Sequence, residues 1–391
     1  YEAEKQKEIK TSQDSPFGLH DPTVPEVDRI EDVALIGAKW VRYAGGNGIV
    51  WDYIEPEKGI YRWSRHDRLY MDTYNSGIKM FVSAIAASRV YKSEHGYMPK
   101  DMGNWVAFLK KVVERYDGDG VDDAPGSPVV DVWQIENELD LNWKNKPEDY
   151  AKFLKESFIA IKQANPKAKV AIAGVADPAG FTGETTIYGK IFKELDKIKN
   201  SSGDRYFDIF DFHWYPFATN YLVVESFITG SSKNIFYLKE YINNIKRTLA
   251  QYDYADIPIY ITEFGQYSEP PGLWGPPEYA HKLTFHSEKK QALDLSKGYL
   301  YSRANGVQKI FWVTLTEWHN FAGEINGVFD NVGLINNPKN SDGLSHKKLS
   351  YYTYKKMVEV LEGSDWSSIQ KIQESGGVYI YKFNKSGKNI W

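Results

Sequence analysis

The sequence of 391 residues contains no cysteine. Disulfides, thiol nucleophiles and thiolate metal sites are therefore excluded, although the redox compartment stays open. No apolar run reaches the roughly 18 residues that a membrane-spanning helix needs. Lysine and arginine are scattered along the chain and the net charge is −4. The sequence thus has no basic cluster of the kind that binds nucleic acid or an anionic membrane, and we expect neither as a partner.

The chain begins at Tyr1 rather than at a methionine, and a polar, charged segment follows, EAEKQKEIKTSQDS. Removal of a secretion signal would leave such a start, and so would trimming of the sequence. We expect an extracellular or secreted protein. The oligomeric state stays open.

Aromatic residues are abundant, at 15% of the chain with 12 tryptophans and 28 tyrosines. Most aromatic side chains fill protein cores, and this is the simpler interpretation. The alternative is that some of them provide flat apolar platforms for a ligand with C–H faces, such as a sugar ring.

Continuous apolar, β-rich runs alternate with amphipathic helical runs along most of the chain. Eight such runs are typical of parallel strands covered on both faces; they span 16–20, 38–46, 78–87, 129–137, 169–176, 206–215, 257–265 and 307–316. Helical patterns span 101–116, 146–164, 234–252, 287–306 and 348–363. We predict an α/β fold, a (β/α)8 TIM barrel. A doubly wound open sheet is the alternative, but no glycine-rich phosphate turn follows the first strand.

The sequence changes character from about Ser367, where short β-type runs are joined by glycine and serine turns. Such runs indicate two or three antiparallel strands. We therefore divide the chain into an N-terminal extension (1–15), the barrel (16–363) and a small C-terminal β appendage (364–391).

Polar residues stand at the ends of the predicted strands, where the active sites of such barrels lie. They are Arg42, Asn137, Glu138, His213, Tyr215, Glu263, Trp312, Glu317 and Trp318. Polar groups at the mouth of apolar strands are costly to bury unless they are paired. Two carboxyl groups there fit glycoside hydrolysis, in which one is protonated to assist the leaving oxygen and the other is ionised to attack the anomeric carbon.

The segment WQIENE at the end of the fourth strand and the segment ITEFG at the end of the seventh resemble clan A of the glycoside hydrolases, the retaining (β/α)8 families. The likeness spans roughly residues 16–363. GAKWVRY resembles the clan's strand-two arginine segment, DFHWYP its strand-six His-x-Tyr, and the run before and through the eighth strand is similar to families 39 and 5. The third strand lacks the histidine usual in family 5, and Glu-Asn-Glu-Leu replaces the Trp-Asn-Glu-Pro usual in family 39. The exact family stays open.

The resemblance implies catalytic roles for the two glutamates. Glu138 would be the acid/base and Glu263 the nucleophile, with Arg42 keeping Glu263 ionised. Asn137 would hold the 2-hydroxyl of the sugar. The neighbouring Glu136 is expected to be a structural ion-pair partner.

The same resemblance implies supporting roles at the mouth. Tyr215 would donate a hydrogen bond to the nucleophile, and His213 would steady the acid. A tryptophan from the eighth strand would form the floor of the sugar site; Trp312 matches this position better and Trp318 comes second. Each of the four could also be ordinary barrel packing.

A second cluster of acids lies in YDGDGVDD, residues 116–123. Its aspartates are hard oxygen donors, but Val121 stands where a helix-loop-helix calcium site would need another ligand. We expect a solvated loop, with calcium binding as the alternative. The eight histidines show no metalloprotease-type spacing, and we expect no catalytic metal and no cofactor.

The sequence therefore predicts a retaining β-glycoside hydrolase that cleaves a β-linked polysaccharide of the glucan, mannan or xylan type. Long loops after the last two strands favour an open cleft and endo action, because they carry aromatic side chains: Tyr267, Trp274, Tyr279, Trp318 and Phe321. An exo-acting β-glycosidase such as a family 39-like β-xylosidase is the alternative. A catalytically silent carbohydrate-binding barrel is a third possibility.

Overall fold

Eight parallel strands form a nearly closed barrel in the computed structural model, which describes residues 15–22, 30–176, 183–199, 205–215, 233–268, 285–320, 328–340, 345–375 and 377–391. The strands are β1 (Phe17–His20), β2 (Trp40–Tyr43), β4 (Lys79–Ile85), β5 (Val132–Ile135), β6 (Lys169–Ala171), β7 (Phe210–Trp214), β8 (Ile259–Phe264) and β9 (Val307–Val313); a two-residue strand, β3 (Ile49–Val50), pairs with β4. Their order is β6-β5-β4-β2-β1-β9-β8-β7. Parallel bridges from Ala171 to Ile209 and from Val175 to Phe212 join the two ends. The predicted barrel is confirmed.

Helices follow most strands on the outside of the barrel. They are α1 (Ile30–Ile36), α2 (Trp51–Ile54), α3 (Ser64–Asn75), α4 (Met102–Arg115), α5 (Leu139–Asn142), α6 (Pro147–Ala164), α7 (Ile187–Lys197), α8 (Lys233–Gln251), α9 (Glu288–Ala304) and α10 (Leu349–Leu361). All five predicted helices are present, as α4, α6, α8, α9 and α10. Within the described ranges, no helix has both the length and the apolar composition to cross a membrane.

The sequence prediction missed the short helices α1, α2 and α5 and the longer helices α3 and α7. Helix α3 buries only His66, Tyr70 and Thr73; their spacing is helical, but none of them is aliphatic, so the sequence shows no apolar stripe there. Helix α7 begins at Ile187, and the hydroxyl of the preceding Thr186 accepts the Gly189 N–H at 3.2 Å. Such an N-cap satisfies one of the unpaired donors at a helix start.

A layer of apolar side chains fills the lower part of the barrel. Seven strands contribute one side chain each to this cluster: Trp40, Phe81, Val132, Ala171, Ile209, Tyr260 and Phe311. The remaining strand, β1, contributes Gly18, where a Cβ would lie 2.5 Å from the ring of Phe311. The missing side chain thus makes room for a phenyl ring, and the barrel is a packed core below the site.

The next inward-facing layer is polar. Side chains alternate between the two faces of a strand, so the residues two positions further along point inward again. These residues include His20, Arg42, Gln134 and Asp211, and all four are less than 5% exposed. This buried polar layer lies directly beneath the C-terminal mouth of the barrel.

The C-terminal segment forms a three-stranded antiparallel sheet of β10 (Asp365–Ser375), β11 (Val378–Lys385) and β12 (Lys388–Ile390). The predicted β appendage is confirmed, although it begins two residues before Ser367. Trp366 packs edge-on against Phe17 of β1 with ring centroids 5.7 Å apart. The Arg303 guanidinium of α9 lies 5.2 Å from the Trp366 ring and donates to its carbonyl. The sheet is therefore packed against the barrel, and the division of the chain at 363/364 stays a prediction.

The contact between Gly18 and Phe311 can be tested by substitution. We expect Gly18→Ala to lower the free energy of unfolding by roughly 1–3 kcal/mol, because the added methyl overpacks the barrel interior. Gly46→Ala is the matched control, since nothing lies within 4 Å of a Cβ at that position. Urea unfolding of both variants measures the difference. Equal stability of the two variants would contradict this account of the barrel floor.

Candidate active site

The barrel brings six of the predicted site residues together at its C-terminal mouth. They are Arg42 on β2, Asn137 and Glu138 after β5, His213 on β7, Tyr215 just after β7, and Glu263 on β8. These residues lie on or just after four different strands that helices and loops separate in the sequence. The parallel fold therefore collects side chains that no local motif contains.

Glu263 is the most heavily contacted carboxylate of the site. Its Oε1 accepts a hydrogen bond from Arg42 Nη1 at 2.8 Å, and its Oε2 accepts one from the Tyr215 hydroxyl at 2.7 Å. His213 Nε2 lies 3.5 Å from Oε1. Burial alone would raise the pKa of Glu263, but His213, Arg42 and the tyrosine hydrogen bond outweigh burial and hold this pKa well below its usual range. Glu263 is therefore ionised at neutral pH.

A register irregularity on β8 turns Glu263 towards the site. The pairing with β7 shifts between Phe212, opposite Ile261, and His213, opposite Glu263. One extra residue is thereby inserted on β8, so Thr262 and Glu263 both contact groups of the barrel interior although they are adjacent in sequence. Such bulges re-aim side chains next to active sites.

Glu138 lies opposite Glu263. Its Oε1 is 2.8 Å from His213 Nδ1. One carboxylate oxygen of Glu138, one of Glu263 and a ring nitrogen of His213 all lie within 4.8 Å of one another. Burial would lower the pKa of His213, but Glu263 and Glu138 raise it above its usual value. The imidazole thus lies between the two carboxylates and is stabilised as a cation by both.

The backbone that carries Glu138 is strained. Glu136 has φ 66° and Glu138 has φ 46°, a region in which a residue with a side chain costs roughly 1–2 kcal/mol. Two such residues around Asn137 turn the chain sharply after β5. Strain of this kind concentrates at functional sites.

Arg42 connects the members of the site. Besides Glu263, its guanidinium donates to Asn137 Oδ1 at 2.6 Å and, from Nε and Nη2, to Gln134 Oε1 at 3.1 and 2.7 Å. Nη1 also lies 3.0 Å from His20 Nδ1. The guanidinium is fully buried, so its charge is unscreened by water and its donors are all directed at protein groups.

His20 is a site residue that the sequence prediction missed. Because an arginine can only donate, the Nδ1 that faces Arg42 must accept, and the ring proton is then on Nε2. Burial lowers the pKa of His20 to about 3. His20 is therefore neutral, with its N–H directed between Asp21 Oδ2 at 3.6 Å and Glu263 Oε1 at 3.7 Å.

Gln134 and Asp211 were missed as well. Gln134 accepts from Arg42 and donates from its amide to Asp211 Oδ2, which also accepts from the Thr262 hydroxyl at 2.8 Å. A signal for them was present in the sequence: each is a polar residue inside an apolar strand, two positions after an apolar residue that faces the barrel interior.

Trp312 does not face the site, so its predicted place on the floor of the sugar site is wrong. Its side chain is wholly buried, packs edge-on against Phe264 with ring centroids 5.4 Å apart, and donates its indole N–H to the Val332 carbonyl at 3.1 Å. The alternation of β9 explains the error: Phe311 and Val313 point into the barrel, and Trp312 points outward to the helices.

Trp318 lies close to the site. Its ring meets His20 edge-on with centroids 6.4 Å apart, and it packs against Phe329 at 5.9 Å. Tyr267 is buried and stacked on His286 at 4.3 Å, so it offers no surface to a ligand. The other aromatic residues that favour a cleft lie outside the described residues: Trp274, Tyr279 and Phe321.

Glu136, expected to be a structural ion-pair partner, contacts groups other than Glu138 and Glu263. Its Oε1 accepts the Ala86 N–H at 2.8 Å, and His95 Nε2 lies 3.8 Å from its Oε2. Burial raises the pKa of Glu136 to about 7. The carboxyl thus ties the end of β5 to the end of β4 next to the strained turn.

The acidic loop 116–123 brings Asp117, Asp119 and Asp123 close together, with carboxylate oxygens within 4.8 Å of one another. These oxygens accept backbone N–H groups of the loop, from Asp119, Gly120 and Val121. This arrangement closes the loop on itself, and calcium binding there stays a prediction. Near Glu263, the positive charge is supplied by Arg42 at 2.8 Å. The absence of a catalytic metal there also stays a prediction.

Comparisons with known proteins support the fold. No protein-family model and no curated protein match the sequence. Among solved structures, the chain is similar to a family 39 glycoside hydrolase from the gut symbiont Bacteroides cellulosilyticus WH2, at 17% identity and a TM-score of 0.64 over 96% of this chain and 69% of that one. It is also similar to a family 39 β-xylosidase from Caulobacter crescentus, at 17% identity and a TM-score of 0.59 over 93% and 76%.

A third similar structure is xylanase 10B of Thermotoga petrophila RKU-1, at 16% identity and a TM-score of 0.54 over 88% of this chain and 93% of that one. At such identities the likeness establishes the fold. The chain thus has the barrel of solved glycoside hydrolases, in agreement with the resemblance seen in its sequence.

The buried Glu136 predicts a pH dependence of stability. Its pKa is raised to about 7 in the folded state from about 4.3 in the unfolded chain, so it contributes stability that is lost as the pH rises between these values. Glu136→Gln keeps an acceptor for the Ala86 N–H and removes the titration. We expect the stability of the variant relative to the native protein to increase from pH 5 to pH 8 by up to about 3 kcal/mol.

Urea unfolding at both pH values measures this change. Glu94→Gln, a substitution of the same type at an exposed neighbouring position, is the control and should change nothing. A constant stability difference between Glu136→Gln and the native protein would refute a raised pKa at this position.

Proposed function

We propose that this protein is a retaining β-glycoside hydrolase, with Glu263 as the nucleophile and Glu138 as the acid/base. The distance between the two carboxylates is the main support. Retaining enzymes hold them about 5–5.5 Å apart, whereas inverting enzymes need about 6.5–9.5 Å to admit a water. Oxygens of Glu138 and Glu263 within 4.8 Å of each other fit the shorter class.

In the first step, Glu263 attacks the anomeric carbon while Glu138 gives its proton to the leaving glycosidic oxygen. The C–O bond to the leaving group breaks and a covalent glycosyl-enzyme forms. Arg42 and Tyr215 hold the nucleophile in one orientation by its two oxygens. His213, hydrogen-bonded to Glu138, stabilises the carboxylate that remains after proton transfer.

In the second step, Glu138 acts as a base. It takes a proton from a water molecule whose oxygen attacks the same carbon, and Glu263 leaves as a carboxylate. The two inversions at that carbon restore the original β configuration.

Asn137 is oriented for a contact with the 2-hydroxyl of the sugar. Because Arg42 can only donate, the amide atom that faces it must be the oxygen. The amide N–H2 is thereby directed away from the guanidinium and can donate to a hydroxyl next to the reacting carbon. Such a contact strengthens in the transition state.

For the substrate, we propose a β-linked polysaccharide of the glucan, mannan or xylan type, cleaved internally. Because such substrates lie outside the cell, we also propose an extracellular location. Exo action is the second candidate, since proteins of similar fold include a β-xylosidase and the exo-β-1,4-mannosidase Op5Man5.

The nucleophile can be identified by chemical rescue. We expect Glu263→Ala to abolish turnover of aryl β-glycosides, and azide to restore it with an α-glycosyl azide as product, because azide enters the space of the lost carboxylate and inverts the carbon once. NMR spectroscopy identifies the anomer. Glu138→Ala should instead lower the rate about 10²–10⁴-fold and give the β-glycosyl azide.

Glu136→Gln is the matched control for both variants, since Glu136 is a buried carboxyl of the same strand end that touches neither glutamate; it should keep native activity. Native activity of Glu263→Ala would refute the assignment. Binding of oligosaccharides without hydrolysis of any aryl glycoside would favour a carbohydrate-binding barrel.

Viscometry separates endo from exo action. Internal cleavage of a soluble β-glucan, mannan or xylan should lower the viscosity steeply while few reducing ends appear. The measurement compares viscosity with reducing ends in the same samples. Release of monosaccharide alone at preserved viscosity would contradict endo action and support an exo-acting β-glycosidase.

A further inference from the structure

Asp211 is a buried carboxylate that the proposed chemistry does not use. It lies on β7, two residues before His213, so both side chains point into the barrel with Asp211 one layer deeper. Its side chain is not exposed. Oδ2 accepts hydrogen bonds from Thr262 and Gln134, whereas Oδ1 is buried without a hydrogen-bond partner in the described part of the chain.

Burial of an ionised carboxylate is costly unless a positive charge or hydrogen-bond donors compensate it. Arg42 is the fixed positive charge of the site, and Glu263 already forms an ion pair with it at 2.8 Å. Asp211 is therefore a second negative charge near Arg42, whose ion pair with Glu263 already balances its charge. The group that can balance it is His213, if its ring holds two protons.

The packing around Gly174 brings these two groups together. A Cβ at Gly174 would lie 2.5 Å from His213 Nε2 and 2.8 Å from Asp211 Oδ2. Both polar atoms therefore approach the same point of the backbone, and the glycine leaves this space open. His213 Nε2 is buried and, like Asp211 Oδ1, has no hydrogen-bond partner among the described residues. Glu263 Oε1 lies 3.5 Å from this nitrogen, so Asp211 acts on the ring through its charge and not through a hydrogen bond.

Among the described residues, few other charged groups act on Asp211. β2 contributes Arg42 and β8 contributes Glu263, and both influence Asp211 electrostatically. The helix side contributes two tyrosines, Tyr150 and Tyr188, which are neutral at working pH because burial raises the pKa of each. Burial raises the pKa of Asp211 to about 6, so it is mostly ionised above that pH.

We propose that Asp211 is a positioning residue that acts through His213: its buried carboxylate, close to the ring at Gly174, stabilises by its charge the protonated imidazole whose Nδ1 contacts Glu138. The order Asp211, His213, Glu138 then forms a line from the polar layer of the barrel to the acid/base. The catalytic meaning of this line rests on the proposed function, but the link between Asp211 and His213 does not.

The link is tested without substrate by ¹⁵N NMR titration of histidine-labelled protein, with the His213 signal assigned from its absence in His213→Gln. In Asp211→Asn the titration midpoint of His213 should fall by about one pH unit or more, because a negative charge close to the ring is removed. An unchanged midpoint would overturn the proposal. If the asparagine variant does not fold, Asp211→Ser removes the same charge and keeps a hydrogen-bond acceptor.

Asp208→Asn is the matched control. Asp208 precedes β7 and pairs with Lys162 at 2.9 Å and with the Val170 N–H at 2.8 Å, so its loss affects stability but not the site. In Asp208→Asn, the titration midpoint of His213 should equal that of the native protein. An equal fall in both variants would show a general effect of lost packing and would also overturn the proposal.

The pH profile of kcat/KM on an aryl β-glycoside gives the second measurement. In Asp211→Asn the alkaline limb should move to lower pH by about one unit, because the Glu138–His213 pair loses its proton more easily. If the native protein hydrolyses no glycoside, the proposed function fails and the NMR titration still decides on Asp211. If it hydrolyses and both limb and midpoint stay in place in the variant, only this inference fails.

Discussion

The buried guanidinium of Arg42 is the charge on which the site depends. A guanidinium keeps its charge at any working pH, and a buried charge without a partner is strongly destabilising. The barrel must therefore hold a carboxylate beside it, and Glu263 fills that place at 2.8 Å. The same contact that permits the arginine in the core keeps Glu263 ionised, as the proposed nucleophile must be. Because its other donors reach Asn137, Gln134 and His20, this one group also fixes the relative positions of β1, β2, β5 and β8 at the mouth.

The interior of the barrel is layered, and the buried polar side chains of Arg42 and Gln134 lie in a layer near the C-terminal end. Below them, Phe311 and six other side chains fill the barrel and exclude water. Above them, the mouth opens, and the side chains of Glu138 and Glu263 keep 22% and 12% of their exposure. Within the polar layer between them, Gln134 bridges Arg42 to Asp211. The C-terminal mouth is thus the end at which the polar layer meets solvent.

The sequence predicts the fold and the meeting of Glu138 and Glu263 at the mouth of the barrel, for a physical reason. Continuous apolar runs predict the buried parallel strands, and an acid at the end of such a run predicts a polar site at the mouth. Glu138 and Glu263 stand at such ends. The error at Trp312 shows where this signal stops. In a strand covered on both faces, every residue is apolar, so the pattern does not reveal which residues face inward. The bulge on β8 adds a further shift that depends on pairing with β7. His20 and Asp211 were missed because their importance comes from partners on other strands.

The two carboxylates differ mainly in the donors that each one meets. Glu263 receives hydrogen bonds from Arg42 and Tyr215 on its two oxygens, with the ring of His213 close by. In the part of the chain that the structure describes, the carboxylate of Glu138 meets His213 alone and is the more exposed of the pair. Environments that differ in this way are what separate an acid from a base among chemically identical groups. In the proposed mechanism, His213 contacts both glutamates, so the proton that Glu138 gives up leaves a carboxylate that the imidazole stabilises. The proposed division of roles therefore follows from the strands that surround each glutamate, and not from the glutamates themselves.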